Sequence, residues 1–253
     1  FGFGGSPYAT DPNGKEEIIE QFNQNSLKEY YKNILNKNQM FIVIAGNISI
    51  AEIRNKIEAS FSSIPSKPYT PFKYNTPIWQ KDDIRKEKRD LAINYVGAII
   101  NAPDINSEDY LPFRLAIAEL GGGLFSALRT RLNLSYDPGA QYMLLKMPFA
   151  KMNLSTPKPK EAIAEMIQQI NIVKNKSIDG DYLDIIKNSF IVTKYLKEES
   201  SSAITQNLGL SEILGGWQFA ERLPELLENI SGNDIKKAFN KYVVGSRWVY
   251  LGN

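Results

Sequence analysis

Met40-Phe-Ile-Val-Ile-Ala45-Gly46-Asn47, early in the 253-residue chain, has a counterpart at its end, Arg247-Trp-Val-Tyr-Leu251-Gly252-Asn253. Each is a continuous apolar run of sheet-forming residues stopped by Gly-Asn, which reads as a buried strand. Each follows a helix of matching sequence, Leu27-Lys-Glu-Tyr-Tyr31 in one copy and Ile235-Lys-Lys-Ala-Phe239 in the other, and each helix opens directly after a cap. A two-residue gap between helix and strand brings the copies into line. Such self-similarity marks a repeated structural unit. A long strand-helix-hairpin-helix segment precedes the second copy, whereas only about 25 residues precede the first. The chain is therefore expected to hold the tail of one domain and nearly all of a second, related one.

Working outward, Asp11-Pro-Asn-Gly14 reads as a turn before a helix over 15–22. Ser26 with Glu29 reads as a capping box, as do Ser49 with Glu52 and Ser231 with Asp234. Pro65, Pro68, Pro71 and Pro77 exclude a helix or a central strand, so 65–83 is expected to be a linker between domains 1–64 and 84–253. Past it, 90–102 reads as a strand and 107–120 as a helix ended by Gly121-Gly122-Gly123, with a short new helix over 124–132. A hairpin interrupted near Pro148 spans 134–156. Helices are expected over 158–174, 180–199, 203–214 and 217–228, with Gly215-Gly216 as a break. The predicted class is α+β, an antiparallel sheet with helices packed on one face.

Composition narrows the chemistry. Thirty basic against 28 acidic side chains leave a net charge of +2, too balanced for a nucleic-acid footprint. No stretch reads as the ~18 apolar residues of a membrane span. The N-terminus lacks both initiator Met and signal-peptide pattern, so the chain reads as a processed product or the later part of something longer. There is no cysteine and no histidine. That excludes a disulfide framework, a Ser-His-Asp triad, and any zinc site built on thiolate or imidazole.

Few patterns could carry chemistry. Gly121-Gly122-Gly123 lacks the frame of a phosphate loop. Adjacent carboxylates such as Glu16/Glu17, Glu108/Asp109 and Glu198/Glu199 diverge on a helix and do not converge on a substrate. The mixed-sign run Lys81-Asp-Asp-Ile-Arg-Lys-Glu-Lys-Arg89 reads as a solvated segment entering a strand. Arg129 and Tyr136 are different. Seven residues apart, late on a short helix and at the start of a strand, they could present a guanidinium fork and a phenol to one surface. Together these suit peptide carbonyls or a developing oxyanion. Spacing alone favours a plainer role, with Tyr136 half-buried and Arg129 paired to a carboxylate such as Asp137.

Several of these pieces, taken in order, resemble the zinc metallopeptidase family M16, the pitrilysin, insulinase and mitochondrial processing peptidase group. Ser6-Pro7-Tyr8 is similar to its His-Pro-Tyr, and Tyr30 through Asn47 to its Tyr…Asn…strand-Gly-(Asp/Asn) segment. Ala51 through Pro65 resembles a helix ending in Phe-x-x-Ile-Pro. Leu120-Gly-Gly-Gly123, the Leu-Phe stretch ending at Arg129, and Leu134-Ser-Tyr136 resemble its glycine-rich region in the second domain. The chain departs from that pattern where Gly123 abuts Leu124, and where Asn133 stands at a usual glycine.

The resemblance implies two related α/β domains in tandem, the first only partly present here. It implies that Arg129 and Tyr136 bind substrate peptide. The family's His-x-x-Glu-His zinc motif is absent, so neither a catalytic nor a metal-binding residue is expected in this chain. Zinc is expected only in a missing N-terminal part or in a partner subunit, and the chain alone is expected to be inactive. The candidate partners are a zinc-bearing lobe or subunit, a substrate peptide, and a second copy of the chain. A non-catalytic docking subunit and an unrelated α+β binding domain are the alternatives.

Overall fold

A computed structural model describes residues 1–72 and 76–253; residues 73–75 of the expected linker lie outside the described residues. The chain opens with α1 (Glu16–Ile19), α2 (Gln24–Ile34) and α3 (Ile50–Phe61). Strands β1 (Asp83–Lys88) and β2 (Asn94–Asn101) follow, then helix α4 (Tyr110–Leu124), which continues into a π-helical turn, Phe125–Arg131. Next come β3 (Gly139–Met143), β4 (Phe149–Thr156), α5 (Pro159–Asn175), α6 (Asp181–Lys197), α7 (Ser201–Leu214), α8 (Gln218–Glu228), α9 (Gly232–Tyr242) and β5 (Ser246–Gly252). The fold is α+β, as the sequence predicts.

The strands form a five-stranded sheet in the order β1-β5-β2-β4-β3. Every pairing is antiparallel except β1 with β5, which is parallel. Side chains alternate between faces with the period of two that strands impose. Val96, Ala98 and Ile100 of β2, Ala150, Met152 and Leu154 of β4, and Trp248 of β5 point into the core. Against them packs the helical layer, with α4 in contact with β3, α5 and α9. Phe113 of α4 is fully buried and stacks on Phe239 of α9, ring centroids 6.2 Å apart. The opposite sheet face is open in part, with Tyr95 exposed.

Several expectations are corrected. Lys81–Arg89 is not merely a solvated entry: its middle is β1, an edge strand whose charge is how edges avoid pairing with other chains. Gly121-Gly122-Gly123 does not end a helix but lies within α4. A Cβ on Gly121 would stand 3.3 Å from the Ala140 carbonyl, so the missing side chain lets α4 lie close on β3. Asn23, not Ser26, caps α2, with Ser26 completing the box from N3. By length and composition the continuous helix Tyr110–Arg131 could cross a membrane, but more than half of it is buried in this core.

Met40–Ala45 forms no strand. Its repeat partner lies in the sheet as β5 between β1 and β2, whereas the early copy pairs with no strand among the described residues. A strand exists only by pairing, and apolar sequence cannot supply the partner. Within residues 1–72 only Asn36 is buried. Its side chain exchanges hydrogen bonds with the Lys67 backbone at 2.8 and 3.1 Å, holding the start of the proline-rich segment against the end of α2. The far end of that segment is held too: Trp79 is buried, and Asn101 grips its backbone. The N-terminal segment is also docked, for Phe3 packs on Phe149 and Trp79 at 4.9 and 6.1 Å between ring centroids.

Candidate functional site

The loop that joins α4 to β3 is built around a change of helical pitch. In the π-helical turn the Leu132 N–H bonds the Ala127 carbonyl at 2.9 Å, one residue further back than in an α-helix. The chain then reverses at Asn133, whose φ of 50° places it in the left-handed region. Glycine and asparagine tolerate that conformation, which suits the asparagine that stands here. The reversal is fastened as the Leu128 carbonyl accepts from the N–H groups of Leu134 and Ser135, at 2.7 and 3.2 Å. Leu128 and Leu134 are both buried, anchoring either side of the turn.

This geometry brings Arg129 and Tyr136 together. The Arg129 guanidinium carbon lies 3.9 Å from the centroid of the Tyr136 ring, a cation–π stack. Tyr136 is 75% exposed and so is not the half-buried tyrosine that spacing alone favours. It precedes the strand and does not open it, because β3 begins at Gly139. Arg129 pairs with no carboxylate among the described residues. Asp137, its expected rival partner, accepts instead from Ser155 Oγ at 2.9 Å. A shallow recess of about 260 Å³ on the open sheet face lies beside the turn, lined by Asp137 and Ser155 with Tyr95, Val249 and Leu251. Arg129 and Tyr136 are not part of its lining.

Two neighbours of the pair were missed in the sequence. Arg131 donates to Glu165 Oε1 at 2.9 Å, and Gln169 donates to the same oxygen at 2.7 Å. Glu165 keeps 8% of its side-chain surface, so the bridge fastens the turn to α5. A carboxylate and an amide four apart on a helix were the available signal. Ser135 has a buried hydroxyl with no hydrogen-bond partner among the described residues, which no sequence pattern marks.

The residues do not fit the zinc of active relatives. Histidine and cysteine are absent from the sequence, and no cluster of three acidic side chains forms among the described residues. Zinc sites need three or four such donors converging.

The candidate site is thus an arginine stacked on an exposed tyrosine, at a turn between α4 and β3 of an α+β domain. The family pattern of the peptidase M16 inactive domain matches residues 21–190, and the chain belongs to that family. It is 25% identical over 248 residues to an uncharacterized zinc protease of Rickettsia bellii, covering 90% of this chain and 57% of that protein. A probable inactive metalloprotease of Bacillus subtilis, YmfF, is 21% identical, with 97% of this chain and 59% of that protein covered. The beta subunit of the mitochondrial-processing peptidase of Blastocladiella emersonii matches at 27% identity over 43% of this chain and 23% of its own length. Among solved structures, an M16 inactive domain from Pseudomonas fluorescens shares the fold at a TM-score of 0.81 and 18% identity, covering 99% of this chain and 62% of the other. The chain thus spans less than two thirds of the length of these relatives.

Proposed function

We propose that this chain is the non-zinc portion or companion subunit of an M16 metallopeptidase, supplying one wall of a peptide-binding chamber and cleaving nothing by itself. The observation that carries this reading is the stack of Arg129 on exposed Tyr136, with the guanidinium donors uncommitted to any carboxylate among the described residues. A fork of fixed orientation and a phenolic hydroxyl can hold a substrate backbone, and lysine lacks the planarity to replace the arginine. In this reading residues 1–64 complete a first M16-like domain, 65–83 link it, and 84–253 form the second. Zinc comes from an N-terminal part or from a separate subunit. The apolar side chains that α2 and the 40–44 segment leave in solvent support a covering lobe, whether of a zinc-bearing subunit or a second copy.

Titrating fluorescein-labelled unstructured peptides with the chain and reading anisotropy tests the wall. Arg129→Lys and Tyr136→Phe should each weaken binding several-fold at an unchanged melting temperature. Unchanged binding, or a lost melting transition, refutes the proposed role of the pair. A second reading, a docking subunit with no peptide site, rests on the same exposed apolar faces and predicts no peptide binding at all.

A further inference from the structure

A second concavity, of about 370 Å³, opens on the helical side of the molecule, and neither Arg129 nor Tyr136 lines it. It lies among α4, α6, α7 and α8, with Tyr142 of β3 in its wall. Its size falls in the range of small-molecule sites. Arg114 of α4 enters it as a flat cation held between two rings, its guanidinium carbon 5.4 Å from the Tyr110 centroid and 4.9 Å from that of Phe190. One of its five donors is used, on the Tyr110 hydroxyl at 3.1 Å. Among the described residues Arg114 has no carboxylate partner.

The charge around the cavity is one-sided. Lys194 and Lys197 line it as well, and no aspartate or glutamate does. Lys194 is neutralised by Glu198 at 2.7 Å, a carboxylate that also accepts from Asn207 of the lining at 3.0 Å, whereas Lys197 forms no ion pair among the described residues. Arg114 and Lys197 thus line the hollow with no ion-pair partner among the described residues, and a half-desolvated guanidinium in that position favours an anion. The Tyr110 hydroxyl accepts from Arg114 and keeps its own proton to give. Burial pushes the Tyr110 and Tyr142 phenols up, so both stay neutral and neither supplies the missing negative charge.

We infer that this cavity binds a small carboxylic acid with an apolar body, its carboxylate on Arg114 within the field of Lys197 and its hydrocarbon against Phe190 and Leu223. The probe is 4-phenylbutyrate, with its neutral amide as control, added to the whole chain and followed by methyl NMR. Saturable shifts are expected at Leu210 and Leu223, with the acid bound roughly tenfold more tightly than the amide. Arg114→Gln should erase that preference. Should that variant misfold, Lys197→Gln, at an exposed position, is expected to weaken the acid several-fold and leave the amide alone. Equal binding of acid and amide, indifference to Lys197→Gln, shifts confined to residues 40–64, or no saturation at about 10 mM would each overturn the assignment.

Discussion

The side chain of Asn101 closes a clasp on the backbone of Trp79: its carbonyl oxygen accepts from the Trp79 N–H at 2.8 Å and its amide donates to the Trp79 carbonyl at 2.9 Å. The same amide donates to the Tyr242 carbonyl at 3.0 Å, so one residue at the end of β2 ties the incoming segment to the end of α9. Removing it would strand buried backbone groups, each costing about 1–3 kcal/mol. Asn101→Ala is expected to lower stability by roughly 2–4 kcal/mol in urea unfolding. A loss below 1 kcal/mol would mean that water takes over the clasp.

Arg129 and Arg131 lie two residues apart, and the loss of Arg131 is expected to cost the fold more. Arg131→Gln leaves buried Glu165 with only Gln169 as partner, and should cost roughly 1–2 kcal/mol, moderated by the exposure of the arginine itself. Arg129→Gln gives up only an exposed stack, about 0.5–1 kcal/mol. Thermal melts of the two variants side by side check the order, and a reversal would assign Arg129 to structure.

Asn133, at a φ of 50°, tests the turn. Asn133→Gly should be neutral or slightly stabilising, whereas Asn133→Val forces a β-branched residue into left-handed backbone at about 1–2 kcal/mol. Equal stability of the two variants would contradict the conformation described.

The cap of α9 carries the clearest acid sensitivity. Hydrogen bonds from the Ser231 hydroxyl and backbone hold the Asp234 carboxyl below its ordinary value. A carboxylate depressed in the folded state stabilises fully above its unfolded pKa, near 3.9, and loses that contribution as pH falls through the lower folded value. Ser231→Ala should therefore cost about 0.5–2 kcal/mol at neutral pH and progressively less below pH ~4. A cost independent of pH would show that the carboxyl takes no part.

Much of the second half was legible because its signals are local. Pro148 breaks the hairpin between β3 and β4, Gly215-Gly216 separates α7 from α8, and Ser231 with Asp234 caps α9. What failed depended on distant neighbours. Gly121 looks like a helix breaker until the Ala140 backbone is seen beside it, and Met40–Ala45 looks like a strand until its partners are sought. The charges of β1 hide an edge strand, because edge strands are selected to resemble loops. The seven-residue spacing of Arg129 and Tyr136 was visible, but the π-helical turn and left-handed Asn133 that place one on the other were not. Arg114 went unnoticed, since one of the rings that hold it, Phe190, lies on α6, far from Arg114 in the chain.

The strand order also sets a timetable for synthesis. Asp82 and Ser246, 164 residues apart, are hydrogen-bonded where β1 meets β5. As the chain leaves a ribosome, β2, β3 and β4 can zip together early, but β1 has no docking place until β5 has emerged. Through that interval one side of β2 is an open hydrogen-bonding edge, and the core lacks Trp248. Pairings of such long sequence separation form slowly. Nascent chains stalled before Ser246 should therefore remain protease-sensitive between Asp83 and Asn101, and become resistant only once β5 has cleared the exit tunnel.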